Sequence, residues 1–459
     1  MEAPRHVFLV AGEASGDLLG ALLMRALRAE RPDMRFSGVG GAAMAREGLV
    51  SLFPLADIAV MGLLAPLLRL PQLLERIERT SRAALAAEPD CLVLIDAPDF
   101  THRVARRVRR ARPALPIIDY VSPSVWAWRP GRARAMRAYV DEVLALLPFE
   151  PAAHERLGGP ACCYVGHPLL DCLDALTPSA AELAAREAER PLLLVLPGSR
   201  RAEVARLMPV FGETLAMLAE RCGPLDVALP VVPHVAEEID SGLAAWRAQP
   251  RLASQEDWRA RPRLASQEDW RAQPRLLSQD EKPPAFRRAR AALVASGAAT
   301  LELALAGVPM AVAYKVAPLE WPLRILVSVD SIVLPNLVLG ERLVPEFLQG
   351  RANPAALASA LEPLMRGGAE RVAQVSGLAR VRERMSAEGR SPSARAAERV
   401  IAWIAKGREI AGGGAIKKGE AEFPDSRLPP EIEKRFEQFD NNSRAYARRH
   451  PPYGRDDAK

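Results

Sequence analysis

Cysteine, histidine and aromatic residues are all scarce. Five cysteines and six histidines are spread over 459 residues, and Phe, Trp and Tyr together make up 5%. The odd, low cysteine count, behind a start that lacks a basic stretch running into a long apolar one, excludes a disulfide-built scaffold. It points to a reducing, cytoplasmic compartment. Cys162, Cys163 and Cys172 fall near His154 and His167, but at spacings that match no common zinc pattern. They read as core or strand-edge residues. A spanning helix needs about 20 apolar residues in a row. The candidate, 59–77, is broken by Gly62, Pro66, Arg69 and Pro71. A large excess of one charge is missing too. The 62 basic and 56 acidic residues leave +6, too little to indicate a nucleic-acid binder. That balance suits an anionic membrane surface or a phosphorylated substrate.

What the chain does have is rhythm. Short apolar runs at 6–11, 91–96, 116–121 and 142–148 alternate with amphipathic stretches, and the pattern restarts at 191–199, 225–232, 291–297 and 308–315. Such alternation predicts βαβ units and parallel sheets. Two series, joined around 168–190, predict two α/β domains facing each other, with a ligand at the carboxyl ends of the strands. A near-identical repeat, RLASQEDWRARP (251–262) and RLASQEDWRAQP (263–274), is followed by the degenerate copy RLLSQDEK (275–282). Its twelve-residue period, cut by proline, reads as a recent duplication in an exposed loop rather than a solenoid. Beyond 405 the sequence turns Gly- and Lys-rich and then polar, a flexible tail with one short helix expected at 430–439.

Several strand-to-helix junctions carry polar groups where ligands bind. AGEASGD (11–17) places Glu13, Ser15, Gly16 and Asp17 at a helix start, where free backbone N–H groups attract anions or polar ligands. LPGSRRAEV (196–204) repeats the design: a glycine for close approach, Ser199 to cap, Arg200 or Arg201 to neutralise a diphosphate. The P-loop spacing is absent. ASGAATLELALAG (295–307) is a third such junction, with Glu302 one turn into its helix and suited to a ribose diol. VSPSVWAWRPGR (121–132) sets Ser122, Trp126 and Trp128 in a loop able to stack on a sugar or acyl chain. CLVLIDAPDF (91–100) runs a buried strand into two carboxylates, Asp96 and Asp99. Leu63, Leu64, Leu67, Leu68, Leu70, Leu73 and Leu74 nearly encircle a helix, which is then either core or a surface offered to a membrane.

Taken in order, AGEASGD, VMG, IDAPDF, YVSPSVWAWR, LPFE, VGHPLLD, LPGSRRAEV, ASGAATLE and LPN resemble the lipid-A-disaccharide synthase family of glycosyltransferases. The likeness spans about residues 6–350 and extends to about 400. It implies an α/β fold of the GT-B kind: two Rossmann-like domains facing a cleft, 1–170 for acceptor and membrane, and 171–405 for the UDP-sugar with an insert at 247–282. A poorly structured tail, 406–459, follows. It also implies transfer of 2,3-diacylglucosamine from its UDP derivative to 2,3-diacylglucosamine 1-phosphate, with inversion and without a metal. Asp96 aligns with the family's base-like aspartate, and Ser199, Arg200, Glu302 and Asn336 with its donor site. Glu13, Ser15, Asp17, Ser122, Trp126 and Trp128 fall to the acceptor or cleft. Because both substrates are lipids, Val60, Met61, Leu63, Leu64, Leu67 and Leu68 become membrane contacts. The expected setting is then peripheral, on the cytoplasmic face of the inner membrane, with a homodimer implied and no nucleic-acid partner. One departure is Ala298, where the family usually has Thr. Two rival readings are a GT-B enzyme with another lipid acceptor and a non-catalytic, nucleotide-dependent lipid carrier. In either reading Asp99 is the helix-capping or turn acid beside Asp96.

Overall fold

The computed structural model describes residues 5–58, 70–248, 274–317, 329–386 and 389–411. The stretch 59–69, with Val60, Met61, Leu63, Leu64, Leu67 and Leu68, lies outside the described residues, as do most of the repeat insert and the tail beyond 411. Two compact units divide the chain, the first ending at Asp171 and resumed from Met385.

In the first unit β1 (His6–Ala11), β2 (Arg35–Val39), β3 (Cys91–Ile95), β4 (Ile117–Tyr120), β5 (Glu142–Ala145) and β6 (Ala161–Tyr164) form one sheet in the order β2-β1-β3-β4-β5-β6. In the second, β7 (Leu192–Leu196), β8 (Asp226–Pro230), β9 (Arg275–Leu277), β10 (Ala291–Ala295), β11 (Met310–Tyr314) and β12 (Glu346–Leu348) lie in the order β12-β11-β10-β7-β8-β9. All neighbours pair in parallel. Helices on both faces bury the central strands completely, which is why β3, β7 and β10 are unbroken apolar runs. Successive side chains serve opposite layers: Leu9, Ala11, Val93 and Ile95 pack into one core, and Phe8, Val10, Leu92 and Leu94 into the other.

Both sheets reverse direction once. The first winds outward from β1 to β2 and then from β3 to β6, so β1 and β3 flank its switch point. In the second the switch lies between β7 and β10. At such points the loops leaving adjacent strands splay to opposite faces and leave a crevice at the carboxyl ends.

The helix Pro392–Ala411 belongs to the first unit, whereas the expected boundaries place 171–405 in the second domain. Its Ala396, Ala397, Val400 and Ile404 complete the core around β1, β3 and the helix Ala14–Glu30. The decisive anchor is Glu142 on β5, only 2% exposed. Its carboxylate accepts from Arg399 Nε at 3.1 Å, from Arg399 Nη2, and from Trp403 Nε1 at 2.8 Å. An unpaired carboxylate there would be costly, so the helix must return to satisfy it. No helix among the described residues is long and apolar enough to cross a membrane.

Glu142→Ala removes the acceptor for both Arg399 and Trp403. It should lower unfolding free energy by about 3 kcal/mol, the usual cost of breaking a buried pair from one side. Urea denaturation of the single mutants and of Glu142→Ala with Arg399→Met checks this: the double mutant should lose less than the two single losses added together.

Candidate active site

The switch point of the first unit is built around a strained turn. Asp96 and Ala97 have φ of 60° and 45°, left-handed conformations that cost a non-glycine residue about 1–2 kcal/mol each. Pro98 opens the following helix (Pro98–Ala111) and disfavours the right-handed alternative at Ala97. The turn is held from several sides. Asp96 N–H donates to the Tyr120 carbonyl at 3.2 Å, and Thr101 Oγ1 donates to the Asp96 carbonyl at 2.9 Å. Gly12 lies so close that a Cβ there would sit 2.1 Å from Ala97 Cβ, so only glycine fits.

This strain aims one carboxylate. Asp96 Oδ1 accepts from Ala97 N–H at 2.7 Å, and Oδ2 accepts from Ser15 Oγ at 2.8 Å. Ser15 is exposed and Asp96 only partly buried, so the pair opens to solvent at the mouth of the crevice. Asp99, expected as a turn or helix-capping acid, lies in the helix's first turn but is not its cap: Ala97 is the cap residue, and Asp99 pairs with Arg132 at 2.7 Å and Arg129 at 3.8 Å. Glu13 is exposed at the start of the helix Ala14–Glu30.

Other expected acceptor residues are bonded to the protein itself. Asp17 is 6% exposed and accepts from the N–H groups of Gly41, Ala43 and Met44 at 2.7, 2.8 and 3.0 Å. It caps the short helix Ala42–Arg46 from another element. Ser122 is likewise buried; its Oγ donates to the Pro123 carbonyl at 3.1 Å and accepts from His154 Nε2 at 2.9 Å. That fixes the hydrogen on Nε2 and leaves His154 Nδ1 buried with no partner among the described residues. Burial accordingly depresses the imidazole to about 4. Trp126 donates through Nε1 to Glu150 at 3.1 Å and meets Phe149 edge-on at 5.1 Å. Trp128, partly buried, carries the Arg129 guanidinium 5.3 Å from its ring centroid.

Glu150 was missed by motif reasoning, although it closes LPFE. It also accepts from the N–H groups of Leu146 and Leu147 at 3.1 and 3.0 Å. Glu150 and His154 are four residues apart on one helical face, and together they pin both ends of the 122–126 loop. Burial pushes the Glu150 carboxyl up to about 7, against the downward pull of its N–H donors. The histidines near the cysteines are thus bound to the protein itself: His154 to Ser122, and His167 Nδ1 to Leu169 N–H at 3.2 Å.

In the second unit, Ser199 and Arg200 are exposed at the end of β7, ahead of the helix Arg201–Cys222. Across the switch point, Gly297 follows β10 with nothing within 4 Å of where a Cβ would stand, open space for a ligand to reach the backbone. Ala298 precedes the helix Ala299–Leu305, in which the Glu302 carboxylate pairs with Lys282 at 2.6 Å. Asn336, expected at the donor, is 1% exposed with both ends of its amide engaged. Nδ2 donates to the Val344 carbonyl at 2.9 Å, and Oδ1 accepts from Leu343 and Val344 N–H at 3.1 and 2.8 Å. These bonds tie it to the 343–344 backbone.

Two six-stranded parallel α/β units, each with a polar, glycine-bearing crevice at its switch point, have the architecture of the GT-B glycosyltransferase fold. Solved structures agree on the fold. MnaA of S. aureus, in a co-structure with UDP, matches with TM-score 0.53 at 13% identity over 91% of this chain and 100% of that one. Acinetobacter baumannii MurG matches with TM-score 0.50 at 14% identity, over 88% and 100%. The family model described as lipid-A-disaccharide synthetase matches residues 7–260 and 255–400, two segments that meet inside the tandem repeat. The chain is 51% identical over 399 residues to the lipid-A-disaccharide synthase of Nitrobacter hamburgensis, covering 86% of this chain and 95% of that one. It is 42% identical over 402 residues to that of Ruegeria pomeroyi, covering 86% and 94%. The chain therefore belongs to the lipid-A-disaccharide synthase family.

The Glu150 carboxyl is raised in the folded state. The stability it contributes is complete below its ordinary value of 4.5 and is lost as pH rises through about 7. Glu150→Gln should therefore gain on the unsubstituted protein between pH 5 and pH 8. Urea midpoints of both proteins at the two pH values test this.

Proposed function

We propose that this glycosyltransferase transfers 2,3-diacylglucosamine from its UDP derivative to the 6-hydroxyl of 2,3-diacylglucosamine 1-phosphate. The products are the β-1,6-linked disaccharide 1-phosphate and UDP. Family membership supports the substrates, and the observation that carries the chemistry is the Ser15–Asp96 pair held on its strained turn. Inversion takes a single in-line displacement. Asp96 removes the hydroxyl proton, the freed oxygen bonds to the anomeric carbon, and the bond to the UDP oxygen breaks. Ser15 orients the carboxylate by donating to Oδ2, leaving its other lone pairs for the acceptor. Negative charge grows on the departing diphosphate, and Arg200 at the start of a 22-residue helix is suited to receive it without a metal. The Glu302 oxygen not facing Lys282 suits the ribose diol.

The lipid substrates motivate a membrane-facing first unit on the inner membrane's cytoplasmic face. Supporting this, Val50 and Leu74 of that unit, on either side of the apolar stretch 59–69 in sequence, are 87% and 40% exposed.

The deciding assay supplies both lipid substrates in the presence of EDTA. Disaccharide and UDP should form; folded protein that makes neither would sink the reading. Asp96→Asn should lower kcat by about 10²–10⁴-fold with UDP affinity unchanged, whereas a carrier would tolerate it. Leu63→Ser combined with Leu67→Ser should weaken co-sedimentation with anionic vesicles while leaving the unfolding midpoint in place; undiminished co-sedimentation would count against the membrane surface.

A further inference from the structure

The loop Pro197–Ser199 is gripped by two side chains that the mechanism above does not use. Gly198 has φ of 122°, and a Cβ there would lie 2.2 Å from Glu203 Oε2. The loop is thus folded directly onto the Glu203 side chain, one turn into the helix Arg201–Cys222. The same Oε2 accepts from Ser199 N–H at 3.3 Å. On the other side of that residue, His234 Nε2 lies 2.6 Å from the Ser199 carbonyl oxygen. A carbonyl only accepts, so Nε2 carries the hydrogen and donates. His234 stands in the turn Pro233–Val235 that follows β8, and β8 is the strand beside β7. The backbone groups on both flanks of Ser199 are therefore fixed, each from a different element.

This grip decides what the loop presents outward. With its N–H and carbonyl engaged, Ser199 has its hydroxyl left. Arg200, exposed, forms no ion pair among the described residues. Its neighbour Arg201 is drawn off to Glu237 and Glu238 at 3.4 and 3.2 Å. We propose that Glu203 and His234 are positioning residues that clamp the Pro197–Ser199 loop so that Ser199 Oγ and Arg200 meet a nucleoside diphosphate. The proposal rests on the donor assignment above. Burial pushes the Glu203 carboxyl up, against the downward pull of the Ser199 N–H and of Arg200. What the clamp needs from Glu203 is an acceptor oxygen, not a charge.

The test is UDP affinity by calorimetry together with separate donor KM, acceptor KM and kcat values for Glu203→Ala, Glu203→Gln and His234→Ala. His234 is exposed, so its variant should fold even where Glu203→Ala does not. Both Ala variants should weaken UDP and raise donor KM about tenfold, the worth of one hydrogen bond. Acceptor KM should stay put, and Glu203→Gln should restore UDP binding by keeping an acceptor oxygen. Unchanged or tighter UDP binding in His234→Ala, or a Gln variant as weak as Ala, would overturn the clamp. If the unsubstituted protein binds no UDP, the donor assignment itself fails, a result distinct from either.

Discussion

Everything at the first unit's crevice depends on how closely β1 and β3 approach where they end. Their register runs Ala11 against Ile95, so the next residues, Gly12 and Asp96, enter the same space. Because Gly12 has no side chain, Ala97 can lie against its backbone, and the chain can turn left-handed twice in succession. Strain of that kind persists only where surroundings over-determine it. Here Tyr120, Thr101 and Ser15 supply the bonds that do so. The carboxylate at the crevice is a product of backbone crowding two residues away.

The second unit solves the same problem differently. Its switch-point loop contains a real glycine at positive φ, so no strain is needed there. The rigidity comes from side chains that reach the loop from the following helix and the neighbouring strand. One unit thus positions a carboxylate through backbone geometry, and the other positions a hydroxyl and a guanidinium through hydrogen bonds.

The central strands were legible because burial on both faces leaves an unmistakable apolar run, and the loops after β1, β3, β7 and β10 were legible because glycine and small polar residues cluster there. What each polar residue does was harder to read. Asp17, Ser122 and Asn336 sit in the same motifs as the other candidate site residues, and the sequence does not show which protein groups they bond. Their partners, Gly41 to Met44, His154, and Leu343 with Val344, come from other elements, and no local pattern records that distance. Glu150 and Glu203 escaped for a different reason: an acid in a first helical turn reads as a solvated cap until the loop folded over it is seen, and His234 escaped because its partner, Ser199, comes from another element. Chain order alone places the helix from 392 in the second unit, and it is a poor guide once a segment crosses back.

That crossing has a consequence for the order of assembly. Synthesis proceeds from the first residue, so all six strands of the first unit are made before any strand of the second. Yet four side chains of its core and the cation for Glu142 arrive only with residues 396–404. The unit that begins to form first is the one completed last, and during the interval it presents an apolar groove and an uncompensated buried acid. Completion of the first unit therefore waits until the second has been synthesised.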